Sequence, residues 1–302
     1  MTKVQDQVKI PRIKQIDANL NKPINSDAPP TIFQTNLKPE YATAALNLSV
    51  DFIKQRQSIT NKYILWHPFV ISFILLIISI IWIPKLTFPH GFQSLTQWSY
   101  HLFLLNKTQI FTIIITATML ISLIFTSLSR LVEATYRSQI DSIVKQNGEP
   151  IFNIELNTLA QDKITDQNKN VLENTNIIVY RNTPIALISI KESTLLSNDE
   201  SISVIIQTLG CRKVYLKSGL LGDLLDWAMI RTEKLNKGAK PHCKLIIEVE
   251  SADKVLQSTL ASKGFKCFSR TRLETNRILG GLFGIKKELW GVQFHMNKNE
   301  KK

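Results

Sequence analysis

Two long stretches of this chain carry no formal charge: residues 63–84, between Lys62 and Lys85, and residues 108–129, between Lys107 and Arg130. A helix rises about 1.5 Å per residue, so either run is long enough to cross a hydrocarbon layer about 30 Å thick. Ile64 to Ile83 is mainly isoleucine, leucine and phenylalanine, with Trp66 and Trp82 near its ends, where indole rings favour the membrane–water interface. Side chains of this kind contribute about −0.5 kcal/mol each to insertion, which outweighs His67, Pro68 and two serines. Ile110 to Leu128 is richer in threonine and serine, whose hydroxyls can bond back to the helix carbonyls. Two such runs in one chain argue against a buried hairpin in a water-soluble protein. They predict two transmembrane helices.

Residues 1–60 are polar, so the first run reads as a signal-anchor rather than a cleavable leader. Basic residues near membrane spans favour the cytosolic side. Lys54, Arg56 and Lys62 precede the first span, and Arg130, Arg137 and Lys145 follow the second, while the connection carries only Lys85 and Lys107. Both termini are therefore expected in the cytosol, with a short lumenal loop. Asn106-Lys107-Thr108 in that loop is a formal glycosylation site that lies too close to the second span to be modified. A formal net charge of +13 suits a protein working against an anionic bilayer surface. No interleaved aromatic and basic patch points to nucleic acid. Cys211, Cys243 and Cys267 stand at no metal-ligand spacing and read as unpaired thiols in a reducing compartment, with no metal expected.

The order of segments along the chain predicts eight regions. Residues 1–38, including "NKPINSDAPPT", are expected to be disordered and cytosolic. Residues 39–62 form an amphipathic helix with Tyr41, Ala45, Leu48, Phe52, Ile59 and Tyr63 on one stripe, lying on the membrane or packing on the domain. The spans are 63–84 and 110–129, joined by the lumenal loop 85–109, and residues 130–148 extend the second helix into the cytosol until "NGEP" ends it. A domain boundary is expected near residue 148, with a mixed α and β domain over 149–296 and a basic tail over 297–302. Within that domain "IIVY" (177–180) and "IALISIK" (185–191) read as a hairpin and "ISVIIQTL" (202–209) as a strand. Residues 220–235 read as an amphipathic helix, "CKLIIEVE" (243–250) as a buried strand, 252–262 as a helix and 288–296 as a final strand.

The segments "IIVYRNTPIALISI", "YLKSGLLGDLLDWA" and "SADKVLQSTLASKGFK" occur in the order and spacing of a strand hairpin, a cofactor loop with its helix, and a helix ending in KGF. Together they resemble the GNAT acetyltransferase superfamily over residues 151–296. With the two spans read from the uncharged runs, the resemblance implies an α+β membrane protein in which a GNAT-like mixed sheet with flanking helices follows them. It also implies a pyrophosphate-binding loop at Tyr215, Leu216, Lys217, Ser218, Gly219 and Leu221, but a vestigial one. Tyr215 and Gly219 match the pattern. Leu216 stands in place of Arg or Gln, and Leu221 in place of a small residue that would let an anion approach the backbone. Lys217 and Ser218 retain groups able to touch phosphate. Leu260 occupies the place of a general-acid tyrosine. Glu248 and Glu250 are candidates for a general base and His242 and His295 lie at strand ends, but ordinary surface roles are expected for all four. The expectation is a pseudoenzyme with no catalytic residues and no cofactor.

"LKPEYATAALNLSVDFIK" followed by "NKYILWHP" is similar to the fungal ER-resident accessory proteins of inorganic phosphate uptake. That resemblance implies a multi-pass endoplasmic-reticulum packaging chaperone that lets a polytopic phosphate transporter fold and leave in transport vesicles. Thr112, Thr116 and Ser122 of the second span are candidate contacts for such a client, and bonding to their own helix carbonyls is the competing role. An active membrane-anchored N-acetyltransferase using acetyl-CoA is the alternative function.

Overall fold

The computed structural model of the protein describes residues 32–90, 94–161, 171–236, 240–273 and 276–295. The part of the expected disordered segment up to residue 31, and the basic tail 297–302, lie outside them. Among the described residues seven strands form one sheet: β1 (Ile32–Asn36), β2 (Thr175–Tyr180), β3 (Thr183–Glu192), β4 (Ser201–Cys211), β5 (His242–Glu250), β6 (Lys266–Arg272) and β7 (Lys286–His295). Their spatial order is β1-β2-β3-β4-β5-β7-β6, and only β4 and β5 run parallel. A parallel pair needs a crossover, here α7 (Leu220–Asn236), and α8 (Lys254–Ser262) joins β5 to β6. The result is a mixed sheet with helices on its faces.

Residues 32–36 correct the expected disorder over 1–38. They form β1, which pairs antiparallel with β2 from Ile32 opposite Tyr180 to Asn36 opposite Asn176. The segment is too short to show a period of its own, and backbone pairing with a strand from the far side of the apolar hairpin fixes it.

The expected domain boundary near residue 148 is also corrected. Helix α1 (Ala42–Leu65) lies against β3 and β4, so it packs on the sheet. Helix α4 (Lys107–Lys145) is one continuous rod of 39 residues, and its second half packs on α1. Ala45, Leu48 and Phe52 of α1 share one core with Val132, Tyr136 and Ile143 of α4 and with Ile177, Val179 and Leu187 of the sheet. Ile151 and Phe152 of α5 (Glu149–Phe152) and Leu156 and Leu159 of α6 (Leu156–Ala160) complete it. The opposite face buries Ile188, Val204 and Leu245 under Leu224, Leu225 and Ala228 of α7 and Leu260 of α8. The sheet domain thus starts at β1, and the apolar hairpin is an insertion between two of its own helices.

That insertion has a sharp edge. The first apolar run breaks at Trp66–His67, because Pro68 cannot continue α1 and instead opens α2 (Pro68–Trp82), where the His67 side chain accepts the Phe69 N–H at 3.3 Å. Ile64, expected in the span, is fully buried in the domain core. Residues 68–85 and the first half of α4 are long and apolar enough to cross a membrane, with mean hydropathy 2.2 in each case. Phe69, Phe73, Leu76, Phe111, Ile114 and Leu123 on these helices are exposed. The expected loop 85–109 contains a further helix, α3 (Leu95–Leu105). Asn106 closes it: Oδ1 accepts the Thr87 N–H and Nδ2 donates to Thr87 O, both at 2.8 Å. With its side chain fully buried and used this way, Asn106 presents no free amide for a glycan.

Candidate functional site

Strands β4 and β5 pair from Ser201–His242 to Ile206–Ile247 and then separate, β4 running on to Cys211 and β5 to Glu250. Between the separated ends lies a cleft of about 200 Å³. Its floor is apolar: Ile206, Leu209, Ile247 and Val249, with Leu216 and Leu221 entering from the loop before α7. The loop that resembles a cofactor cradle therefore does reach the mouth of the cleft.

Several of its groups bond within the loop. Gly219 takes φ +84°, a left-handed turn that suits glycine, and its carbonyl accepts the N–H groups of Gly222 and Asp223 at 2.8 and 3.2 Å. The Ser218 hydroxyl donates to Tyr215 O at 2.6 Å, and the Tyr215 ring sits edge-on to Tyr180 at 6.2 Å. Lys217 is exposed to solvent. Leu221 is 5% exposed and belongs to the core under α7. Asp223 in the first turn of α7 already complements the helix dipole and would repel an incoming phosphate.

The far wall of the cleft comes from α1, for which no local pattern in the chain predicts that position. The Phe52 ring covers Gly210 of β4, so closely that a Cβ on Gly210 would fall 2.5–2.7 Å from ring atoms. Gln55 Nε2 donates to Cys211 O at 3.2 Å, taking up a carbonyl at the diverging end of β4. Arg56 and Ile59 complete this wall. Asp253, the N-cap of α8, accepts the Leu256 N–H at 3.0 Å. Burial pushes its carboxyl above the usual range, partly offset by that bond and by the Arg56 charge.

The acid–base candidates are scattered. Glu248 lines the cleft at its open side, where it is exposed and pairs with Lys287 at 2.8 Å. Glu250 belongs to a buried knot beyond the cleft, where its Oε2 accepts from the Tyr136 hydroxyl and from Thr60 Oγ1 at 3.1 Å, while Thr60 and Tyr136 oxygens lie 2.8 Å apart. Burial, then the Glu250 charge, raises the Tyr136 phenol well above its ordinary value, so it stays a proton donor. The knot joins α1, α4 and β5. His242 and His295 meet edge-on at 4.5 Å at the opposite end of β5, with His242 Nδ1 buried and unpartnered. Leu260 is fully buried and offers no proton. Cys211 is buried and its thiol is pushed up to about 11, which makes it a poor nucleophile at neutral pH. Among the described residues no cluster of three potential metal ligands exists.

The candidate client contacts do not form one face. Thr112 donates to Thr108 O and Gln109 O, and Thr116 to Thr112 O and Ile113 O, at 2.8–3.1 Å. Thr116 lines a groove between α2 and α4 together with Ile78, Trp82, Met119 and Leu123. Ser122 lies roughly 120° around the helix from Thr116.

Several solved acetyltransferases are similar to part of the chain. Arabidopsis thaliana Naa50 with a bisubstrate analogue is 17% identical, over 40% of this chain and 74% of its own, at TM-score 0.33. The ribosomal-protein-S18-alanine N-acetyltransferase of Escherichia coli is 14% identical, over 42% and 73%, at 0.30. Arabidopsis thaliana NAA60 with a bisubstrate analogue is 14% identical, over 41% and 79%, at 0.33. No curated protein sequence matches the chain. A family model does, over residues 14–294, taking in both apolar helices and all of the sheet but the last residue of β7. The chain belongs to the family that this model describes, the inorganic phosphate transporter chaperone Pho86 family.

Proposed function

We propose that the protein is a multi-pass endoplasmic-reticulum membrane chaperone that holds a phosphate transporter while its helices assemble and helps it leave in transport vesicles. In this reading α2 and α4 cross the bilayer, α3 lies on the lumenal side, and both termini and the sheet domain are cytosolic. An unassembled transporter has polar groups that are costly in lipid until its helices pack. The groove beside Thr116 offers a surface on which such a helix can rest. Client recognition at Thr116 is therefore favoured over Ser122, which faces elsewhere.

The sheet domain acts as a binding module and not as an acetyltransferase. The observation that carries this reading is the state of the β4–β5 cleft, where Phe52 and Gln55 occupy the β4 edge and two leucines enter from the loop. A phosphate gains no charged side-chain donor at Leu216, and one lost charged hydrogen bond costs about 1.5–3 kcal/mol. That alone weakens binding roughly ten- to a hundredfold.

Two measurements test the proposal, and a third tests its topology. Deletion should strand the phosphate transporter in the endoplasmic reticulum while other cargo departs; its normal arrival at the cell surface would refute the chaperone role. Calorimetry on the detergent-solubilised chain should give no micromolar acetyl-CoA binding. Micromolar affinity with acetyl transfer to an amine would establish an active N-acetyltransferase instead. Protease added to sealed microsomes should digest the sheet domain, and its protection would reverse the topology.

A further inference from the structure

We propose that the segment between β6 and β7, residues 276–285, is a second membrane-contact element seated in the anionic headgroup layer beside the start of α2. The inference rests on the reading of α2 and α4 as membrane spans. Two contacts set the height of the segment. Asn276 Nδ2 donates to Thr135 Oγ1 at 2.9 Å. Thr135 lies six residues beyond Ser129, the last residue of the uncharged α4 run, so Asn276 stands about 9 Å outside the apolar span. At the other end the Phe283 ring meets the His67 ring edge-on at 5.5 Å, and His67 immediately precedes Pro68, where α2 begins. A headgroup layer is about 5–8 Å deep on each side of the hydrocarbon. The segment spans it from outer edge to apolar boundary.

Its side chains fit that layer. Leu279 and Phe283 are buried and anchor the segment to the domain core, whereas Ile278 and Leu282, four residues apart on one short π-helical turn, are 46% and 49% exposed. Arg272, Arg277 and Lys286 flank them along the chain, all exposed, and among the described residues none has a carboxylate within ion-pair distance. Trp66, 73% exposed, and Tyr63 at the end of α1 supply interfacial rings beside His67. Apolar tips beside exposed cations, level with the start of a span, match the acyl boundary and phosphates of an anionic leaflet. Tilting of the domain on its two helical stalks would be restrained by this third contact.

The test uses the full chain with Cys267→Ser in nanodiscs of phosphatidylcholine, with and without phosphatidylserine. Cys211 and Cys243 are buried, which shields them from labelling. A nitroxide is placed at Leu282→Cys, at Leu123→Cys on α4, or at Leu195→Cys on the exposed turn after β3, and its collisions with oxygen and with a water-soluble nickel chelate are compared. The Leu282 label should collide mainly with oxygen when phosphatidylserine is present, the Leu123 label in both lipids, and the Leu195 label mainly with nickel. Replacing Arg272, Arg277 and Lys286 by glutamine should lower the docked-to-free ratio about fivefold per charge, on the order of a hundredfold together, returning the Leu282 label to water. A Leu123 label in water would sink the membrane-span reading itself. A Leu282 label in water in both lipids, with Leu123 in hydrocarbon, would overturn this inference alone. So would a Leu282 label that leaves water only when the transporter is added, which would assign the segment to the client.

Discussion

Replacing Tyr136 by phenylalanine removes one oxygen from the knot that joins α1 and α4 to the sheet. Two hydroxyl protons there serve three oxygens: Tyr136 gives its proton to Glu250, and Thr60 shares its own between the phenol oxygen and the same carboxylate. Tyr136 and Thr60 are buried, so water can reach the carboxylate only from the half-buried Glu250 side. A hydrogen bond to a charged group contributes about 1.5–3 kcal/mol, which sets the expected loss near 2 kcal/mol. In a domain of this size about 1 kcal/mol shifts Tm by about 2–4 °C, so Tyr136→Phe should lower it by roughly 4–8 °C. The assay is thermal unfolding of the full chain in nanodiscs, followed by the fluorescence of Trp227 and Trp290 in the sheet domain.

The arrangement also fixes the sign of a coupling. Thr60→Val alone leaves the tyrosine donor in place, but in the phenylalanine background it removes the last donor to Glu250. The double variant should therefore cost more than the sum of the singles, by about 1 kcal/mol. Raising the pH gives an independent check. The phenol is raised above its unfolded value of 10.0, so its contribution is constant below that pH and is lost as the solution rises through the higher folded value. Tyr136→Phe should abolish that alkaline loss. Additive singles, or a Tm change under about 1 °C where roughly 4–8 °C is expected, would refute the shared-carboxylate account.

Gly210→Ala should destabilise the domain by about 1–3 kcal/mol, because the new methyl meets the Phe52 ring, and Phe52→Leu in the same chain should recover part of the loss in the same melting assay. Asp253→Asn keeps an N-cap but removes a carboxyl whose folded value is raised by burial. The wild-type stability contribution of Asp253 is full below pH 3.8 and declines as pH rises through the folded value, so melting at neutral pH should be unchanged or higher in the variant. Alkylation of the native chain followed by mass spectrometry should find Cys267 modified first, since Cys211 and Cys243 are buried and burial raises both thiols.

Much of the domain was legible because its strands are short apolar runs between turn residues. β3, β4 and β5 fall almost where "IALISIK", "ISVIIQTL" and "CKLIIEVE" place them, and α7 and α8 follow the helical period of their leucines. The departures Leu216, Leu221 and Leu260 were readable as residue types, and all three lie in or against the core beneath α7. Other features were not readable. β1 is a short strand with no apolar alternation of its own. The knot of Thr60, Tyr136 and Glu250 joins residues separated by 76 and 114 positions. Gln55 reaches Cys211 O across 156. Pairings of that range leave no local pattern, because each partner alone looks like an ordinary polar residue on a helix or strand.

The sequence by itself determined the apolar hairpin and the local elements of the sheet. Hydropathy along the two uncharged runs and strand alternation are properties of neighbouring residues, fixed by the cost of burying charge and by the two-residue period of a strand. Only the tertiary structure decided that the hairpin is inserted inside the sheet domain rather than placed before it. It also decided that α1 walls the β4–β5 cleft and that the loop between β6 and β7, far along the chain, meets the start of α2. The physical reason is that an amphipathic stripe specifies that a face must be buried and not against what. Ala45, Leu48 and Phe52 would be satisfied by a bilayer or by a sheet, and β3 and β4 offer an apolar face of matching shape, down to the missing side chain at Gly210.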